Sequence, residues 1–231
     1  MKLFYLLLSF FVLSACSNKP LQPEVGSQIH TVKILPVIWS PKEFTYIGRE
    51  QAWGMALGAG AGTLAGAATG ASKIGQAALG GAGLAAGMKL GDLASMPTYQ
   101  AIISNMSINQ IDLGEIVKFQ FENQLATSNR FKIVGVDAQA DAEIQLTVVN
   151  WGFGLTQGFS SVMYPTMKIA AEMKRGDVVA WRYGNYITPF NGDNTYAFTP
   201  FEYRTDPDKL KAALNGVAKI LSKKLIENLD D

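Results

Sequence analysis

Glycine recurs at every fourth position from Gly54 through Gly58, Gly62 and Gly66 to Gly70, in a background that is mostly alanine. The same spacing returns at Gly83, Gly87 and Gly91. A period of four puts these residues on one stripe of an α-helix. Each glycine in a helix interior costs roughly 1 kcal/mol relative to alanine. Twelve glycines between Gly54 and Gly91 therefore exclude a helix that stands alone in water. The stripe needs a partner at backbone distance, the arrangement used where membrane helices pack through small residues.

From Gly54 to Met88 the chain runs 35 residues with Lys73 as the sole charge. A single helix of that length would measure about 52 Å, far more than the ~30 Å of a hydrocarbon core. The pattern predicts a helical hairpin, with legs over about 52–71 and 74–94 and Ser72-Lys73 at the tip. Lys73 would emerge among headgroups on the far side, and Trp53 would anchor the near interface. Alanine and glycine drive insertion feebly, so the legs are expected to pack on one another or on further copies, giving a homo-oligomer. The alternative is a hairpin that stays outside the bilayer and packs against its own domain.

The N-terminus addresses the chain. Met1-Lys2 precedes an apolar run from Leu3 to Leu13, which has the length of a signal peptide rather than a membrane span. Leu13-Ser14-Ala15-Cys16 follows, and it resembles the lipobox of bacterial lipoproteins. The resemblance implies cleavage before Cys16, a diacylglycerol on its sulfur and an acyl group such as palmitate on the new amine. An ordinary secretory leader with a chance cysteine is the alternative. Cys16 is the only cysteine, so it has no disulfide partner. Ser17 stands where this family's inner-membrane retention signal would usually show Asp, which favours the outer membrane. Asn18 to Ser27, with Pro20, Pro23 and Gly26, reads as a flexible tether. Removing residues 1–15 takes away Lys2 and brings the formal charge from +1 to 0. A neutral chain gives no basic surplus for nucleic acid.

The remaining segments predict an α+β domain: one mixed or antiparallel sheet with two packed helices, interrupted by the Gly/Ala hairpin. His30 to Trp39 alternates as a strand, with Pro36 marking an edge or a bulge. Leu113, Ile116, Val117, Phe121 and Leu125 mark one amphipathic helix over about 101–128, ended by Asn129-Arg130. Phe131–Val136 is a short strand. Ala142–Leu155 is a longer one whose buried face changes register, with Gly152 and Gly154 as candidates for a bulge. Thr166–Lys174 and Val178–Ile187 form a hairpin around Arg175-Gly176-Asp177. Residues 189–206 read as a polar and aromatic loop. The last helix starts at Pro207 with Asp206 as cap, and buries Leu210, Leu214, Val217, Leu221 and Leu225. The organisation is thus 1–15 leader, 16–29 lipidated tether, 30–51 first strand and approach to the insertion, 52–96 hairpin, and 97–231 the rest of the domain.

Residues Leu125 through Val149, with "NRFKIVGV" and then "ADAEIQLTVVNW", resemble a helix end and strands found in periplasmic domains of outer-membrane lipoproteins. The curli-secretion pore lipoprotein and transport-accessory lipoproteins are the comparisons. The curli pore inserts amphipathic β-hairpins, whereas residues 52–94 lack dyad alternation, so a β-barrel is not implied. The glycine-rich part is similar to glycine-zipper segments of envelope lipoproteins, including conjugal surface-exclusion proteins.

Residues that carry chemistry are scarce. His30 is the one histidine and sits at a strand start. No GxSxG elbow occurs, and with Cys16 lipidated no Cys/His metal cluster can form. Asp137, Asp141 and Glu143 lack the spacing of a calcium loop. No metal, cofactor or catalytic residue is expected. The aromatic residues Tyr183, Tyr186, Phe190, Tyr196, Phe198, Phe201 and Tyr203 suit a protein interface or a membrane-facing rim. The alternative is a loop that folds back to cap the sheet. The reading is a lipid-anchored envelope lipoprotein of structural or transport-accessory type, bound to membrane lipid through Cys16 and the hairpin, with an envelope protein as partner. A secretion channel is the second reading; an envelope hydrolase is a third.

Overall fold

One 13-residue strand organises the sheet, β4 (Ala142–Gly154), with neighbours along the whole of both edges. The computed structural model describes residues 18–47, 93, 96–156 and 160–231. Cys16, Trp53, Lys73, the glycines of the stripe and both predicted hairpin legs lie outside these residues, apart from Leu93. With elements numbered in chain order, the strands are β1 (Thr31–Ile34), β2 (Phe44–Ile47), β3 (Lys132–Val134), β4, β5 (Tyr164–Arg175) and β6 (Val178–Ile187). The helices are α1 (Pro23–Gly26), α2 (Thr98–Ile108), α3 (Leu113–Ser128), α4 (Pro200–Thr205) and α5 (Pro207–Asp230).

The fold is α+β with a mixed sheet of six strands in the order β3-β1-β4-β5-β6. β1 and β2 share one edge of β4, both parallel to it: Val32 pairs with Ala142 near the start and Ile47 with Gly154 at the end. β5 and β6 continue the other edge as an antiparallel hairpin, turning at Gly176 (φ 57°). Met167, Ile169, Ala171 and Met173 of β5 bury one face, against which α5 packs. Trp181 donates to Asn228 Oδ1 of α5 at 3.1 Å, and Gln120 of α3 donates to Asn215 of α5 at 3.0 Å. The other face is polar, with Lys33–Glu143 (2.8 Å) and Glu172 paired to Arg182 (2.5 Å) and Lys174 (3.2 Å). Burial pushes the Glu172 carboxyl up, but the bonds from Arg182 and Lys174 outweigh it and hold the group below its usual range.

Several expectations are corrected. The helix predicted over 101–128 is two helices. Ile111 N–H bonds the Met106 carbonyl (2.8 Å) and Gln110 N–H the Ser107 carbonyl (3.3 Å), a Schellman stop with Gln110 at φ 52°. Asp112 then caps α3 through Gly114 N–H (2.7 Å) and Glu115 N–H (3.1 Å). Asn129 ends α3 at φ 54°, as expected. The strand expected over His30–Trp39 stops at Ile34, and Ile38 rejoins β4 beside Thr147 beyond Pro36.

The register of β4 shifts between Val148 and Asn150, ahead of Gly152. Gly152 serves another need: a Cβ there would lie 1.7 Å from the Thr45 carbonyl oxygen of β2. The loop read over 189–206 contains α4, started by a Thr199/Glu202 capping box. Finally, the stretch read as a tether belongs to the fold from Lys19 onward. Leu21 and Ile29 lie in the core, and Gln28 accepts from Arg175 at 2.5 Å.

Candidate functional site

The carboxyl end of β4 is where the chain leaves the described fold. β2 runs parallel to β4 and ends at Ile47, opposite Gly154. The chain is described again at Leu93, which is buried, and the Arg204 guanidinium of α4 donates to its carbonyl from Nε and Nη2, both at 3.2 Å. α4 itself is held at this end. The Tyr203 hydroxyl lies 3.1 Å from the Met163 carbonyl, just before β5, and 3.0 Å from that of Tyr196; its ring lies 4.3 Å from Phe153. Burial pushes the Tyr203 hydroxyl's pKa far up, so it stays a neutral donor. Asn105 of α2 donates to the Tyr203 carbonyl at 3.0 Å, tying the returning chain to the same place.

The N-terminal segment is fixed elsewhere on the sheet. Lys19 N–H bonds the Arg182 carbonyl (2.7 Å) and Arg182 N–H bonds the Lys19 carbonyl (2.9 Å), an antiparallel bridge on the free edge of β6. Arg182 is opposite Glu172, which pairs with Gln145, so this bridge lies near the amino end of β4, about 17 Å along β6 from Ile187.

The aromatic residues at the carboxyl end of β4 divide into two sets. Tyr196, Phe198 and Tyr203 face inward. Tyr203 is fully buried, Phe198 pairs with Met163 (2.8 and 3.2 Å), and the Tyr196 ring lies flat on Gly216 of α5, where a Cβ would be 2.2 Å away. These three cap the sheet. Tyr186, Phe190 and Phe201 point outward, 60%, 70% and 60% exposed. Asn191 and buried Asn194 shape the loop: the Thr188 amide donates to Asn191 Oδ1 (2.7 Å), and Asn194 Nδ2 donates to the Pro165 (2.9 Å) and Thr188 (3.0 Å) carbonyls.

Two acids at this end are ion-paired. Glu202 is ion-paired with Lys209 and accepts from the Thr199 amide at 2.7 Å; the lysine and this amide hold its pKa down at about 2. Asp193 pairs with Lys224 at 2.9 Å. At the opposite end, the Asp141 carboxylate accepts from His30 N–H (2.9 Å), Thr31 N–H (2.9 Å) and Thr31 Oγ1 (3.0 Å). Those donors hold Asp141 below the usual carboxylate range and fasten the start of β1. The exposed His30 ring lies 4.0 Å from the same oxygen, a surface pair rather than the core of a reactive pocket. No cluster of three metal-ligating residues occurs among the described residues, and no described helix is long and apolar enough to cross a membrane.

The described residues form an α+β domain in which Ile47 and Leu93, flanking the Gly/Ala segment, lie at one end. Neither a protein-family model nor a curated protein matches the chain. A crystal structure of a Xanthomonas campestris protein of family DUF330 is similar at 11% identity and a TM-score of 0.34, over 50% of this chain and 62% of that one.

Proposed function

We propose that this chain is a membrane-anchored envelope lipoprotein with a structural or transport-accessory role and no enzymatic activity. Cys16 carries the lipid, the glycine stripe assembles copies, and the α+β domain binds an envelope protein from the periplasmic side of the outer membrane. The observation that carries the reading is geometric. β2 ends at Ile47 and the chain is described again at Leu93 at the same end of the domain, opposite the end that carries the Gly176 turn and Asp141. A Gly/Ala segment entered and left at one end of the domain suits contact with a bilayer or a second copy, and the lipobox at Cys16 supports the lipid anchor.

The test has two arms. The intact mass of the mature protein should show loss of residues 1–15 and added acyl chains, and Cys16→Ser should leave the membrane fraction. Light scattering in detergent should then give a defined oligomer for the native protein and not for a variant with Gly58, Gly62 and Gly66 changed to Leu. Unmodified Cys16, or membrane retention of Cys16→Ser, refutes the anchor. Equal masses for the two proteins refute assembly through the stripe. Ion conductance in planar bilayers would move the reading from scaffold to channel.

A further inference from the structure

The sheet face turned away from α5 divides into two parts by strand register. Toward the amino end of β4, charges are matched within the face: Lys33 pairs with Glu143, and Lys174 and Arg182 share Glu172. Toward the middle, Ile38, Thr147, Ala170 and Gly184 are neighbours in one row across the strands. Asn150, Lys168 and Tyr186 form the next row, with Val149 in the bulge between Val148 and Asn150. Ile38, Val149 and Tyr186 are 56%, 39% and 60% exposed, whereas Val148 and Ile169 beside them point into the core. The register thus puts three uncovered apolar side chains on one surface, around Thr147 and Ala170.

The same face carries a surplus of positive charge. Lys132 lies beside Thr31, and Lys19 beside Arg182, both on this side of the sheet. The Lys19 ammonium donates to the Val179 carbonyl, and neither Lys132 nor Lys168 has a carboxylate partner among the described residues. With Asp141, whose carboxylate fastens the start of β1, the face holds six cations and three acids. The described residues as a whole hold 16 Lys and Arg against 17 Asp and Glu, so the face stands at +3 and the rest of the domain at −4. Charge is sorted between the two sides of the domain, and a sorted surface selects its partner by sign.

We infer that this face docks an acidic protein surface, whose carboxylates meet Lys19, Lys132 and Lys168 and whose apolar side chains cover Ile38, Val149 and Tyr186. The inference rests on the reading that the domain binds an envelope protein, and it names the face used and the chemistry of that partner. The extent of the face fits. Five strands about 4.8 Å apart, each about ten residues long at ~3.3 Å per residue, cover on the order of 800 Å², one partner's share of a standard interface. An apolar centre with tyrosine, set among charged groups, is the anatomy of such a surface. A second copy docking by the same face would set +3 against +3. An anionic bilayer would attract the lysines, but it would also press its headgroups on Asp141, Glu143 and Glu172. A folded partner matches both signs, because its charges are fixed in place.

The experiment uses the full-length protein in its own cells. The photo-crosslinker benzoylphenylalanine replaces Ile38 or Tyr186, and exposed Lys219 of α5 is the control site on the other side of the domain. Peptides joined on irradiation are identified by mass spectrometry. Both sheet sites should capture the same protein through a peptide containing Asp or Glu, and the control site should not. Lys168 is exposed, so its replacement leaves the core intact. Lys168→Glu should lower the yield about fivefold or more, with Lys168→Ala intermediate, and changing the captured carboxylate to lysine should restore the yield in the Lys168→Glu protein. Capture of lipid alone, capture of a second copy, or a yield that Lys168→Glu leaves unchanged overturns the inference. A protein captured only from the control site overturns the face while the accessory reading stands. No protein captured from any of the three sites defeats both.

Discussion

Replacing Gly152 with alanine tests how the strand leading into the Gly/Ala segment is held. The added Cβ would lie 1.7 Å from the Thr45 carbonyl oxygen, 2.6 Å from its carbon and 2.8 Å from its Oγ1. Two of those atoms are backbone, so no rotamer change relieves the contact, and β2 has to leave β4. Phe44 then leaves Trp151, against which it packs edge-on at 4.7 Å. An aromatic pair of this kind is worth about 1 kcal/mol. Uncovering roughly a third of the ~200 Å² of a buried tryptophan, about 70 Å², costs a further ~1.7 kcal/mol at ~25 cal/mol per Å². The expected loss is about 3 kcal/mol, or a fall in Tm of about 6–12 °C for a domain of this size. Urea titration of the mature protein followed by tryptophan fluorescence reads it, with Gly135→Ala as control because a Cβ there meets nothing within 4 Å. A Gly152→Ala protein within about 0.5 kcal/mol of native refutes the reasoning, since surface changes alone scatter that much.

Gly216→Ala should destabilise the native protein by driving the Tyr196 ring off α5, yet stabilise a Tyr196→Ala background by about 1 kcal/mol, the ordinary helix preference. A double-mutant cycle by thermal unfolding checks the change of sign. Tyr203→Phe should cost about 1–3 kcal/mol, because the buried Met163 and Tyr196 carbonyls share the one hydroxyl donor; denaturant midpoints measure it. Glu202 is held at about 2 against an ordinary 4.5, so its contribution is complete above pH 4.5 and is lost as pH falls from 4.5 toward 2. The stability gap between native protein and Glu202→Gln should therefore close over that interval, as read by urea midpoints at successive pH values.

What the sequence made legible was local. The β5–β6 hairpin announces itself through alternation around Arg175-Gly176-Asp177, and α5 through Asp206-Pro207 and its leucine stripe; both stand as expected. The division between α2 and α3 was hidden because the left-handed position is Gln110 instead of glycine, while Ile108, Ile111 and Leu113 carry the apolar pattern across the break. The signal for α4 was present and passed over: Thr199-Pro200 followed by Glu202 is a capping box with proline in the first turn. The placement of β1 and β2 on one edge of β4 has no local signature, since it depends on pairs more than a hundred residues apart. Gly152 drew notice as a bulge glycine, but its reason is the close passage of Thr45, which only the pairing reveals. Among the aromatic residues, composition alone did not separate the inward Tyr196, Phe198 and Tyr203 from the outward Tyr186, Phe190 and Phe201.

The shared edge of β4 also imposes a timetable. The Thr31 amide bonds Asp141 and Val32 pairs with Ala142, each across 110 residues. At about 5–20 residues per second, a ribosome needs about 6–22 s to supply the partner once the first strand has been made. Throughout that delay β1 and β2 have no β4 to join, and the Gly/Ala segment is completed within it. The sheet therefore cannot close around its first strands until the chain through β4 is present.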